Sequence, residues 1–169
     1  MSAEAILQRF GPSDNVGLLL GISWRQRGLF LRGIDYDDLD LWEEHMDCAG
    51  DQEGYGWLLS GPLVRTGNDN SHHYILSDSS EKFVFQGKES TEHGGEIQGA
   101  GTQLVAPPSI HPDTGEEYRW IHEDWEDLVL VSQQQLQENY HPKTSKSKFT
   151  AAIQPCLLYT SPSPRDTRE

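Results

Sequence analysis

Cysteine is scarce in this chain, positive charge is scarce, and long apolar runs are missing. Its two cysteines, Cys48 and Cys156, are too few for a disulfide framework. The second lies in a terminal stretch set aside below, so no thiolate zinc site is expected either. No run approaches the ~18 consecutive apolar residues of a membrane span, and the opening MSAEAILQRF is amphipathic and carries Glu4, unlike a signal peptide. A cytoplasmic location is expected. Lys plus Arg number 13 against 27 Asp plus Glu, a formal charge of -14 over 169 residues. That balance opposes non-specific adhesion to nucleic acid or anionic membranes, so a nucleic-acid partner would need a local basic patch or bridging metal ions. No Gly-Lys-Ser/Thr follows the glycines, no dinucleotide fingerprint joins a strand to a helix, and no internal repeat is present. The length suits one domain with a proper core, hence one active site or none.

What the chain does have is the stretch LFLRGIDYDD, Leu29 to Asp38. Its apolar residues occupy both alternating sets, as expected of a strand buried largely on both faces. Residues two apart in a strand share a face, so Asp35 and Asp37 project side by side while Tyr36 points the other way. Two carboxylates forced together repel unless a cation sits between them. The same residues also read as a strand end followed by a helix cap, with Asp38 or Asp37 capping a helix from Leu39.

Around that strand the pattern predicts a short helix from Ala3 to Phe10 and a buried strand from Asn15 to Gly21. Arg25, Arg27 and Arg32 cluster near the central strand, either as a phosphate-facing patch or simply solvated. Leu39, Trp42 and Met46 mark one face of a helix that Gly50 can close. Strands near Leu63 to Thr66 and His73 to Leu76 flank the polar turn Gly67 to Ser71, a hairpin on which the adjacent His72 and His73 must face opposite ways. Phe83 to Phe85 reads as a strand, Glu96 takes a strand position between Gly95 and Ile97, and Thr102 to Ala106 forms the next strand. Pro107 and Pro108 stop it, since neither donates a backbone hydrogen bond. Asp113, Thr114 and Gly115 make a turn that returns Tyr118 and Trp120 as a strand. Ser132 can cap a last helix, Gln133 to Tyr140.

Residues 1–141 are expected to form the folded domain, followed by a basic, Ser/Thr-rich linker over 142–155. The final segment 156–169 has no periodicity. Its peptide CLLYTSPSPRD resembles the in-frame translation of a transposon-end sequencing adapter, and it is set aside as a processing scar. It carries two basic and two acidic residues, so removing it leaves the charge balance unchanged.

Taken together, the acidic pair after a strand, the polar turn with its histidine, and the block from Glu96 to Trp120 resemble the N-terminal domain of bifunctional DNA primase-polymerases, of the archaeo-eukaryotic primase superfamily. The resemblance covers roughly Asn15 to Gln137 and is strongest at VAPPSIHPDTGEEYRW, Val105 to Trp120. The family's first motif, an Asp-x-Asp or Asp-x-Glu pair, is matched by Asp35 and Asp37. The second, a histidine followed two residues later by an aromatic, is matched by His72 and Tyr74, with His72 implied to touch the triphosphate of an incoming nucleotide. The third, a single acidic residue, is Glu96. Family members usually carry Gly-Gly where this chain has Asp69 and Asn70, and a basic residue near Gln98. The family's N-terminal segment, which normally precedes Ala3 and includes a strand and a helix of the domain, is also expected to be missing.

The resemblance implies an α+β fold, with a mostly antiparallel sheet similar to an RNA-recognition-motif core and helices packed on one face, truncated at its N-terminus. It implies a template-dependent nucleotidyltransferase, a DNA primase and DNA polymerase of a phage, plasmid or mobile-element replication protein. Catalysis and metal binding would rest on Asp35, Asp37 and Glu96 with Mg2+ or Mn2+. The implied partners are DNA template and primer, nucleoside triphosphates, and a helicase domain in the full-length gene. Two alternatives stand beside this: a catalytically silent nucleotide- or DNA-binding module of the same fold, and a metal-dependent nuclease using the same carboxylates.

Overall fold

The computed structural model describes residues 2–11, 14–50 and 54–143. Most of the expected linker and all of the adapter-like segment lie outside the described residues. Among the described residues nine strands and three α-helices follow in the order α1 (Ala3–Arg9), β1 (Val16–Leu19), β2 (Ser23–Trp24), β3 (Gln26–Tyr36), α2 (Leu39–Ala49), β4 (Leu63–Arg65), β5 (Ser71–Ser77), β6 (Phe83–Gln86), β7 (His93–Gln98), β8 (Gln103–Ala106), β9 (Arg119–His122) and α3 (Gln133–Asn139). A seven-stranded sheet has the order β6-β7-β3-β5-β4-β9, with β2 pairing beside β3, and β1 and β8 form a separate two-stranded sheet. All these pairings are antiparallel, and the fold class is α+β, as expected.

β3 is the spine because it is buried on both sides from Leu31 to Ile34. Ile34 and Tyr36 are fully buried against Leu41, Ile75, Phe85, Ile97, Leu136 and Tyr140, so α2 and α3 cover one face of the sheet. Leu31, Val64, Tyr74 and Leu76 line the other face, where Leu20 and Leu104 of the small sheet pack on them. That packing is possible because position 33 is glycine: a Cβ there would lie 2.3 Å from Leu104 Cδ1.

The termini of α2 follow the sequence signals. The Asp38 side chain accepts from Leu41 N, and Gly50 closes the helix. Its buried face is rotated from the expected one, however. Leu41, His45, Cys48 and Ala49 are buried, Trp42 and Met46 partly so, and Leu39 is exposed. A polar ring at His45 is tolerated there because Tyr36 Oη meets its Nδ1 at 2.9 Å.

Two further expectations are corrected. β1 is mostly exposed rather than buried, since its small sheet lies at the margin and only Leu18 is half-covered. Arg32 is no phosphate-facing residue. It is fully buried, with Nε donating to the Gln98 carbonyl at 3.0 Å and the guanidinium also reaching the Glu81 carbonyl and Gln133 Oε1. Burial lowers its pKa to about 10, partly offset by Glu81 and Asp78.

His73 faces the helices and His72 the opposite side, as alternation requires. His73 Nε2 accepts from Trp42 Nε1 at 2.8 Å, which leaves the ring proton of the neutral form on Nδ1. Burial pushes both His73 and His45 from the ordinary 6.5 to about 3, helped by His72 beside His73 and by His141 beside His45. Both rings fold neutral, and the unfolded chain takes up more protons than the folded one once pH drops below about 6.5. Stability is therefore complete above that pH and falls below it, by up to ~1.4 kcal/mol per pH unit for each ring. Urea denaturation at pH 7.5, 6.0 and 5.0 should show the midpoint falling, with a shallower fall in His73→Leu.

Candidate active site

The pairing registers assemble the site. Asp35 stands opposite His72 on β5 and opposite Glu96 on β7, so the three side chains form one row across three neighbouring strands. Successive strands lie about 4.8 Å apart, which sets the spacing of that row. The row lies on the face away from α2 and α3, because Ile34 and Tyr36, its alternating neighbours, point into the helical core. Asp37 falls just beyond the end of β3, where its backbone N–H and that of Asp38 both donate to the Gly94 carbonyl, at 2.9 and 3.2 Å.

Glycines let β7 come this close. At Gly95, with φ 149°, a Cβ would lie 2.0 Å from the Asp35 carbonyl oxygen, and at Gly94 it would lie 2.1 Å from the Gln86 carbonyl oxygen. Neither position admits a side chain without moving backbone.

Each carboxylate is held by a neutral or cationic neighbour. His72 Nε2 lies 3.2 Å from Asp35 Oδ1, His93 Nε2 donates to Asp37 Oδ2 at 2.8 Å, and Gln98 Nε2 donates to Glu96 Oε1 at 3.3 Å. Asp35 Oδ2, Asp37 Oδ1 and Glu96 Oε2 have no protein donor among the described residues. Burial, and then the Asp35 charge, push Asp37 above the usual carboxylate range. The hydrogen bond and charge of His93 pull it back, and Glu96 adds a further push. No three His, Cys, Asp or Glu side chains among the described residues converge closely enough to hold a metal ion as they stand. The donor set still suits a hard divalent ion: three carboxylates in adjoining positions, each with one oxygen uncommitted.

Aromatic rings wall one side. Tyr118 lies over His72 with centroids 6.1 Å apart, and His111 stacks on Tyr118 at 6.0 Å. Burial and the Asp35 charge raise Tyr118, and they raise Tyr74 more strongly on the same sheet face. His72 Nδ1 and the Tyr74 hydroxyl are buried without a hydrogen-bond partner. The Pro-Pro-Ser block acts as a latch: Ser109 Oγ accepts from Val16 N at 2.7 Å, and Asn15 exchanges two hydrogen bonds with the Ile110 backbone. The turn after it docks on the hairpin, with Thr114 Oγ1 donating to the Gly67 carbonyl at 2.7 Å.

A family model for the N-terminal domain of bifunctional DNA primase/polymerases matches residues 2–138. The chain belongs to that family. No curated protein and no solved structure gives a match to it. Within this Prim-Pol domain Asp35, His72 and Glu96 share one row and Asp37 adjoins it. Of the departures from the family pattern, Asp69 sits in the left-handed region at φ 65°, the kind of position at which glycine is favoured. Gln98 is buried, with its amide on Glu96 and its carbonyl on Arg32. Sequence reasoning missed His93. Its signal was present but weak: a histidine three residues before an acidic strand position, separated from it by two glycines.

Since burial and then its acidic neighbours disfavour the Asp37 carboxylate, Asp37→Asn should stabilise the metal-free domain at pH 8 by a few tenths to about 1 kcal/mol, a range set by solvent screening of a half-exposed charge. Chemical denaturation in the presence of a chelator measures this.

Proposed function

We propose that the domain catalyses template-directed nucleotidyl transfer, extending or starting a nucleic-acid strand from nucleoside triphosphates. The observation that carries the reading is the register that sets Glu96, Asp35 and His72 side by side across β7, β3 and β5, with Asp37 at the end of the same strand. Family membership supports the reaction class. A replication protein of a phage, plasmid or mobile element, with a helicase domain elsewhere in the gene, is the setting the resemblance suggests.

The reaction brings a 3'-hydroxyl in line with an α-phosphate, and negative charge must be stabilised on both the entering and the leaving oxygens. Two divalent cations, Mg2+ or Mn2+, supply that stabilisation when bound. Asp35, Asp37 and Glu96 would hold them through the carboxylate oxygens that lack protein donors. Glu96, which pairs with Asp35 from β7, carries one methylene more than aspartate. His72 is poised between two duties. Its Nε2 now meets Asp35, and a phosphate oxygen would offer it a second acceptor of the same charge type. The Tyr118 ring holds the imidazole plane from one side. The net charge of -14 fits this chemistry because cations, not side chains alone, offset the charge of the substrate.

Primer extension tests the proposal, with labelled nucleotides, a primed template and Mn2+. The wild-type chain should extend the primer, and Asp35→Ala/Asp37→Ala should lose at least about 10²-fold, the scale of removing transition-state charge stabilisation. No extension by either protein, with unchanged circular dichroism, would reassign the domain as a silent nucleotide-binding relative. Shortening of the primer by the wild type would make it a nuclease.

A further inference from the structure

The Asp35–Asp37 pair is served by two histidines, and only His72 belongs to a motif of the family. His93 meets Asp37 at 2.8 Å from the first position of β7. Strict alternation would turn it away: Glu96 lies on the carboxylate face, so Gly95 and then His93 would face the helices. The β6–β7 ladder breaks that alternation. Phe85 pairs with Gly95 but Gln86 pairs with His93, so Gly94 is an extra residue, a bulge. A bulge re-aims the residues beyond it and is over-represented beside active sites. Here it brings the His93 ring round to Asp37. The bulge also presents the Gly94 carbonyl to the backbone N–H groups of Asp37 and Asp38.

Asp37 needs such a clamp more than Asp35 does. β3 ends at Tyr36, so Asp37 lies outside the paired strand and its main chain is held by the bond to the Gly94 carbonyl alone, which leaves the side chain to find its own partner. Its side chain is 41% exposed and has two like charges nearby. Without a partner it would rotate into solvent. With Oδ2 tied to His93, Oδ1 is left without a protein donor among the described residues.

We infer that His93 is a positioning residue for the cation site, fixing the Asp37 carboxylate by a hydrogen bond from Nε2 so that the opposite oxygen stays available as a ligand. The inference rests on the cation-binding reading of Asp35, Asp37 and Glu96 given above. His93 is not itself a ligand in this arrangement, since its Nε2–H is spent on the carboxylate. Outer-shell partners of ligating carboxylates usually set metal affinity as well as geometry.

Titration of the full chain with Mn2+ alone, followed by loss of the free-ion electron paramagnetic resonance signal, tests this. His93→Leu removes the donor but keeps bulk, and it should weaken Mn2+ about tenfold. His93→Gln carries an amide N–H at similar reach, and it should stay within about twofold of wild type. A merely structural role for the ring would not separate these two variants in Mn2+ affinity, and both should still unfold cooperatively in urea because the ring is packed into neither hydrophobic cluster. Wild-type affinity in His93→Leu, with binding abolished in Asp35→Ala/Asp37→Ala, would overturn the role of His93 and leave the cation site standing. Equal Mn2+ binding by the wild type and Asp35→Ala/Asp37→Ala would overturn the cation site and this inference with it.

Discussion

How closely β7 can lie against β3 decides the rest of the site. The two backbones meet where Gly95 passes the Asp35 carbonyl, and a single Cβ there would overlap it at 2.0 Å. Because that gap is closed, Glu96 pairs with Asp35, and the pairing on the other side of β3 brings in His72. One strand thus receives ladder bonds from both flanks at the residue where charge is concentrated.

Opposite faces of this sheet solve opposite electrostatic problems. On the helical face, burial keeps His45 and His73 neutral and ties Tyr36 to Tyr140 through a hydroxyl contact of 2.5 Å. Such a network is rigid when all its members are neutral and mutually bonded. On the carboxylate face, charge is left in place and shared among histidines and an amide. A fold selected only for stability would remove one of those acids. Keeping all of them places the strain of like charges at the end of β3 and leaves the core undisturbed, a division common where a site is built for a charged substrate.

Much of this was legible from residue order. The double-sided apolar run of β3, the cap and stop of α2, the hairpin around Gly67 to Asn70 and the strand carrying Glu96 follow from local patterns that the structure keeps. What stayed hidden depends on partners distant in the chain. Arg32 reads as a surface charge until Gln98, Glu81 and Gln133 supply acceptors around it. β1 reads as buried because its residues are apolar, yet it pairs with β8 at the margin. His93 could not be aimed without knowing that the ladder skips Gly94, because a bulge leaves only glycines as its trace in sequence.

The latch between Ser109 and β1 carries a cost in time. Val16 and Ser109 stand 93 residues apart, and every rung of the small sheet joins β1 to β8 across a similar interval. A ribosome adding about 5 to 20 residues per second needs several seconds to supply the far partner. Throughout that wait Val16, Leu18 and Leu19 present an unpaired apolar strand edge on the growing chain. No other described strand waits as long for its first partner, so the interval between β1 and the Pro-Pro-Ser block leaves an open edge at which nascent copies of this protein can mispair with one another.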